Sequence, residues 1–239
     1  FKGLSRNKLI LELFDHQDFR VRLRAQFEIV RRVLDGDSES LRLLGNFAVT
    51  DFTTGVNQRH AIWALGQIGR INPEALPPLR RALAHRFEET RAQAAKTLGD
   101  LRDAESEETF LKMLHDKSDR VKFFAANALG RIRSQKSVEP LFALVRDNAD
   151  KDAFLRHAAV VALHTIGDLE SVMRHAESDS RAERLAVALV LRCAESDAIA
   201  RFLDDPDWQI ATEAARAIND LPLDQATGKL AAAAKRVLA

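Results

Sequence analysis

Arg91-Ala92-Gln93-Ala94-Ala95-Lys96-Thr97-Leu98-Gly99 and Lys122-Phe123-Phe124-Ala125-Ala126-Asn127-Ala128-Leu129-Gly130 are two copies of one pattern, R-x-x-A-x-x-x-L-G with Lys allowed at its first position. Looser copies place the large apolar anchor at Ile29, Leu65, Leu163, Leu191 and Ile218, so seven anchors follow one another at intervals of 27 to 36 residues. A period of this length is that of a supersecondary unit repeated along the chain.

Each unit reads as a helical hairpin. In the fourth, Phe110, Leu111 and Leu114 mark a first helix, and Val121, Phe124, Ala125, Ala128 and Leu129 recur at i, i+3, i+4, i+7 and i+8 along a second. Leu9, Leu11, Leu13 and Phe14 carry the first helix of the first unit. Small Ala four residues before the anchor (Ala25, Ala61, Ala94, Ala125, Ala159, Ala214) lets helices approach, and the anchor fills the groove. Val187 takes that place in the sixth unit, which predicts a slightly wider pair. Asp18, Asp119, Asp152 and Asp207 stand where an N-cap is needed. Gly66 or Gly69, Gly99, Gly130 and Gly167 read as helix ends, and Pro77, Pro78 and Pro140 as first-turn residues. Asp35-Gly36 reads as a helix-ending turn, the stretch from Thr50 to Asn57 as the longest loop, and no sustained period-two alternation points to strands. One hairpin cannot bury its apolar stripe alone. The expectation is an all-α fold: a right-handed α-solenoid of about seven hairpins forming a single repeat domain, 1–239, with a C-terminal capping helix over about 224–239 and a concave binding surface.

Composition narrows function mainly by exclusion. Of 239 residues, 36 are basic and 35 acidic, a formal charge of +1 that marks neither a dedicated nucleic-acid binder nor an anionic-membrane anchor. The one Cys cannot form an internal disulfide, a Cys-rich zinc site or a C-x-x-C-H haem attachment. No apolar run reaches the ~18 residues of a spanning helix, and Phe1-Lys2-Gly3 begins with neither Met nor a signal pattern, which reads as a piece of a longer chain.

Local candidates each have a plainer reading. The cation seven residues before the anchor (Arg22, Arg91, Lys122, Arg156, Arg184) makes a ladder that could grip phosphates or carboxylates; pairing with the acidic helix starts is the reading favoured. His157 and His164 lie seven residues apart, ~10.5 Å along a helix, too far to share one ion. Asp147-Asn148-Ala149-Asp150-Lys151-Asp152 lacks the Gly and distal Glu of a calcium loop and reads as a capping turn. Cys193 reads as a small core residue. Trp208 reads as packing at a helix start, while Trp63, behind Arg59 and His60, could line a groove beside a cation.

Residue composition and unit length resemble HEAT repeats, and the R-x-x-A-x-x-x-L-G element resembles the short bacterial HEAT-like type seen also in phycobilin lyases. His60-Ala61-Ile62-Trp63-Ala64-Leu65-Gly66-Gln67-Ile68-Gly69, Arg120 to Gly130, Leu155-Arg156-His157-Ala158-Ala159 and Glu213 to Pro222 are similar, more narrowly, to the HEAT-repeat segment of bacterial haem-binding, membrane-bound-dehydrogenase-like (sorbosone-dehydrogenase-like) proteins. That family places a propeller before the repeats and a C-x-x-C-H cytochrome module after them; neither is in this sequence, so no haem ligand or catalytic residue carries over. The resemblance implies a noncatalytic spacer and docking platform, extracytoplasmic, without cofactor or metal in this segment, whose partner is a protein or the neighbouring domains of the same parent. His60, Trp63, Arg156 and His157 match its recurrent motifs and, with Arg59, are the candidate concave-face binding residues. The competing expectation is a groove-binding enzyme of the HEAT-like DNA glycosylase or cofactor lyase type; the charge balance weighs against nucleic acid. HEAT-repeat deoxyhypusine hydroxylases hold iron with His-Glu pairs, and no His-Glu dipeptide occurs here.

Overall fold

The computed structural model describes residues 1–50 and 55–238, the side chains of 237 and 238 excepted. Among the described residues every regular element is helical. Two compact units divide the chain, Phe1–Ala128 and Leu129–Ala239.

In the first unit, a π-helical turn, Lys8–Glu12, and a 3-10 turn, Leu13–Asp15, lead into α1 (Phe19–Leu34). α2 (Ser38–Phe47) precedes α3 (Val56–Gly69), α4 (Leu76–Ala82) precedes α5 (Glu88–Asp100), and α6 (Glu107–Met113) precedes α7 (Asp119–Arg131), within which the boundary between units falls. Of the expected loop from Thr50 to Asn57, residues 51–54 lie outside the described residues; Val56 and Asn57 already belong to α3. The opening turns bury Leu9, Ile10 and Phe14 and leave Leu11 exposed, because their hydrogen bonds depart from the α pattern on which the leucine spacing was read.

The second unit runs through α8 (Val138–Asn148), α9 (Ala153–Ile166), α10 (Leu169–Met173), α11 (Arg181–Cys193), a 3-10 segment (Asp197–Asp204), α12 (Trp208–Asp220) and α13 (Asp224–Leu238). All seven anchors lie on the second helices of hairpins and are buried, as are the six alanines four residues before them and Val187. The apolar stripe read from the sequence is therefore the core stripe, and the fold class is all-α, built from repeated helical hairpins.

The glycine after the anchor does something other than end a helix. Gly66, Gly99 and Gly130 have no positive φ, and each helix continues past them. A Cβ on Gly99 would lie 2.8 Å from the Ala128 Cβ and 2.9 Å from its Cα; on Gly130 it would lie 2.7 Å from the Ala162 Cα; on Gly66, 2.5 Å from the Thr97 Cγ2. Thr97, Ala128 and Ala162 each stand one residue before the next anchor. The motif's final glycine is thus a contact point where one second helix meets the next. Four helices end instead at a left-handed residue four after the anchor, Arg102 (φ 54°), Arg133 (φ 55°), Glu195 (φ 49°) and Gly167 (φ 83°); α3 ends on Gly69, the second of the two glycines read there, and α1 runs into Gly36 (φ 103°), the expected helix-ending turn. Asp103 N–H donates to the Leu98 carbonyl at 3.0 Å and Ser134 N–H to that of Leu129 at 3.1 Å, closing the turns across the non-glycine residues.

The caps also depart from expectation at one place. Asp18, Asp152 and Asp207 accept N–H groups of the following first turn, whereas Asp119 is the first residue of α7 and pairs with Lys122 at 2.8 Å. Pro77, Pro78 and Pro140 do lie in first turns, of α4 and α8.

Candidate functional site

The cation seven residues before the anchor is tied into the hairpin loops. Arg91 donates through Nη1 to the carbonyls of His85 and Arg86, at 2.9 and 3.0 Å, and through Nε and Nη2 to the Asp116 carboxylate, both at 2.8 Å. Arg184 repeats this with the Ser178 carbonyl at 2.9 Å and Asp205 at 2.9 and 3.3 Å. Asp116 and Asp205 stand in the loops of the units that follow, so one guanidinium bridges two hairpins. Burial alone would raise the Asp116 carboxyl, but Arg91 and the Ser118 N–H outweigh it and hold its pKa below the ordinary value. Arg22 holds the His16 and Gln17 carbonyls and His60, Arg156 pairs with Asp150 of its own unit, and Lys122 with Asp119. The arginines of the ladder staple loops and Lys122 pairs within its own helix, so the ladder is paired throughout.

Among the candidate residues of the first unit, His60 is 3% exposed, with one ring nitrogen 2.8 Å from Gln26 Oε1 and the other accepting from Arg22 Nε at 3.1 Å. Burial, reinforced by Arg22 and Arg59, pushes its pKa down to about 4, so the ring is neutral at pH 7. Its ring meets the Trp63 ring edge-on at 5.1 Å between centroids. Trp63 is 37% exposed, and its Nε1 donates to Gln93 Oε1 at 2.9 Å; Gln93 donates to Glu89, which pairs with Arg120 at 2.7 Å. Arg59 is half-buried on the same helix. These side chains close the face they occupy.

The second unit holds an open face. On α11, Arg181, Leu185 and Leu189 recur at i, i+4 and i+8; on α12, Trp208, Thr212 and Arg216 do the same, in matching register relative to the anchors Leu191 and Ile218. Between them lies a groove of about 350 Å³, whose lining also takes in Asp150, Arg156, Gln209 and Glu213. Trp208 is 72% exposed. One end of the groove is tightly paired: Arg181 holds Asp207 at 2.6 Å, Asp150 at 3.0 Å and the Gln209 side chain, while Arg156 also holds Asp150. That Arg181 hydrogen bond lowers the Asp207 pKa. At the other end, Glu213 is held by Arg192 at 2.8 Å and lies 3.5 Å from Arg216, whose side chain is 65% exposed.

Residues 81–164 and 108–192 match HEAT repeats, and residues 58–85 match the PBS lyase HEAT-like repeat. The chain carries HEAT-like repeats. The structure of the complex of CpcE and CpcF of phycocyanin lyase from Nostoc sp. PCC7120 is similar at 16% identity and a TM-score of 0.50, over 97% of this chain and 95% of that one. An engineered protein is similar at 19% identity and a TM-score of 0.47, over 94% and 97% of the two chains. Importin beta is similar at 13% and 0.48, over 89% of this chain and 33% of its own. At 16% identity the likeness to the lyase complex concerns the fold. No curated protein matches the sequence.

Within the HEAT-like repeats, the structure brings His60 and Trp63 together and places Arg156 on the groove of the second unit; His157 is exposed on α9, outside that lining. Two expectations are corrected. Trp208 does not pack at its helix start: as the first residue of α12 it precedes the apolar stripe that begins at Ile210, so its ring faces solvent. Cys193, the last residue of α11, is exposed because it follows the anchor Leu191 off the buried stripe. Arg181 and Arg216 escaped the sequence reading, although their four-residue spacing with Leu185 and Thr212 was visible once α11 and α12 were aligned on their anchors. The Asp147 to Asp152 turn does cap: Asp152 accepts the Phe154 N–H at 2.7 Å. Among the described residues no three His, Cys, Asp or Glu side chains cluster to hold a metal ion, and no helix is long and apolar enough to cross a membrane.

Proposed function

We propose that this chain is a noncatalytic HEAT-repeat scaffold, a single repeat domain over 1–239, that holds a protein partner or adjacent domains of a larger chain on the exposed faces of its second helices. The observation that carries this reading is the groove between α11 and α12, where an exposed tryptophan and an exposed arginine flank an apolar floor. Trp and Arg are the side chains that anchor protein interfaces, since each combines a large apolar surface with directional polar groups. Arg156 lines the same groove, and no cofactor is assigned to this segment.

A photo-crosslinking residue at position 208, compared with one at the exposed first-helix position Glu170, tests the reading in the native host. A discrete crosslinked protein from 208 and none from 170 is the expected result; identical products from both positions, or none from either, would overturn it. The finer proposal is that the segment spaces the propeller and cytochrome modules of an extracytoplasmic haem-binding dehydrogenase-like parent. It rests on the motif resemblance, and the coding sequence on either side decides it: a propeller before and C-x-x-C-H after are expected, and other modules in both places would remove it.

A further inference from the structure

We propose that the groove between α11 and α12 takes a short extended segment of an acidic protein partner, seating an apolar side chain on Leu185, Leu189 and the Trp208 ring and a carboxylate on Arg216. This rests on the scaffold reading and adds the chemistry of the partner. From Trp208 to Arg216 the groove follows two helical turns, ~12 Å, which an extended chain covers in about three to four residues. Its volume of about 350 Å³ lies at the small end of ligand pockets and suits side chains rather than a large cofactor.

Charge decides what enters. Both carboxylates in the lining are already held, Asp150 by Arg156 and Arg181, Glu213 by Arg192. Neither is placed to recruit a cation. Among the described residues Arg216 has a single long pair, 3.5 Å to Glu213, and its side chain is mostly exposed, so most of its five donors face solvent beside the apolar floor. A guanidinium in that position binds a carboxylate through two parallel hydrogen bonds. A nucleic-acid strand would instead need several free cations in series along its phosphates, and the other two lining arginines are neutralised within the groove.

The chain has two tryptophans and no tyrosine, so Trp63→Phe leaves Trp208 as the reporter of its own site. In that background, capped Glu-Leu-Leu-Glu and Gln-Leu-Leu-Gln peptides and a single-stranded thymidine decamer are titrated while Trp208 emission is followed. The acidic peptide should give a saturable blue shift. Arg216→Gln should weaken it about tenfold, as loss of a charge-assisted pair requires, and leave the neutral peptide unchanged. Glu213→Gln, which removes the competing carboxylate, should tighten it. Equal affinity for the two peptides, indifference to Arg216→Gln, tighter binding of the decamer, or no shift by about 10 mM peptide would overturn the proposal. If position 208 still crosslinks to a protein, the scaffold reading survives that failure; if it does not, both fall.

Discussion

The helices that meet through glycine and those that do not give the molecule two kinds of seam. At Gly66, Gly99 and Gly130 the next second helix comes so close that no Cβ fits without displacing Thr97, Ala128 or Ala162. After the anchors of α9, α11 and α12 the same position holds His164, Arg192 and Asn219, and the alanine four residues before the α11 anchor becomes Val187. The glycine seams leave no room for a Cβ, whereas the face shared by α11 and α12 carries a groove lined by long side chains. One motif residue thus separates surfaces built to be packed from surfaces left available.

The largest effect should come from closing a glycine seam. Gly99→Ala and Gly130→Ala each push a methyl into the backbone of a packed helix, where no rotamer change relieves it, and should cost roughly 3 kcal/mol despite the better helix propensity of Ala. Gly66→Ala meets only the Thr97 methyl, so it should cost less, and Thr97→Ala should rescue it. Chemical denaturation midpoints measure all four variants; equal losses at Gly66 and Gly99 would show that side-chain relief does not matter.

Next is the His60 wedge between α1 and α3. Its folded-state pKa, about 4, lies below the ordinary 6.5, so the unfolded chain binds the proton first. Stability from this group is complete above pH ~6.5, falls as the pH drops toward 4 by up to about 3 kcal/mol, and does not change further below it. His60→Gln should flatten that window in a series of denaturation midpoints against pH. A slope that persists in the variant would assign the effect elsewhere.

How much of this was legible follows from what a sequence pattern can encode. The anchors and their alanines were visible because burial imposes helical periodicity, and all of them are buried. The glycine after the anchor was visible as a residue but misread. A helix end and a close approach both select glycine, and only the neighbouring backbone tells them apart. The left-handed Arg102, Arg133 and Glu195 carried no signal, since their side chains are not those the conformation favours. Of the site, the aromatic and cationic residues could be named, but not their state. His60 and Arg216 are both polar residues of second helices, and only tertiary packing makes one a neutral wedge and the other an exposed guanidinium.

Enlarging an alanine contact should cost less than closing a glycine seam. Ala125→Leu overpacks a buried position and should destabilise by about 2 kcal/mol. The reverse change at the corresponding position of α11, Val187→Ala, removes two buried methyls and should cost about 1–2 kcal/mol. If Val187→Ala instead stabilises the protein, the valine is strained and the α11 seam would close to the alanine spacing. Thermal unfolding of the pair distinguishes these outcomes.

The smallest effect is also the one that separates the two tryptophans. Trp63 is half-buried, abuts His60 and donates to Gln93, so Trp63→Ala removes packing and strands the Gln93 carbonyl; about 1.5 kcal/mol should be lost. Trp208 is exposed at a helix start, and Trp208→Ala should change stability by no more than about 0.5 kcal/mol while abolishing binding of the acidic peptide as measured by titration calorimetry, which needs no tryptophan. An exposed apolar ring that adds nothing to folding has its use outside the fold. If Trp208→Ala destabilised as much as Trp63→Ala, the ring would be part of the hairpin's packing after all, and the groove would lose its claim to be a surface kept open for a partner.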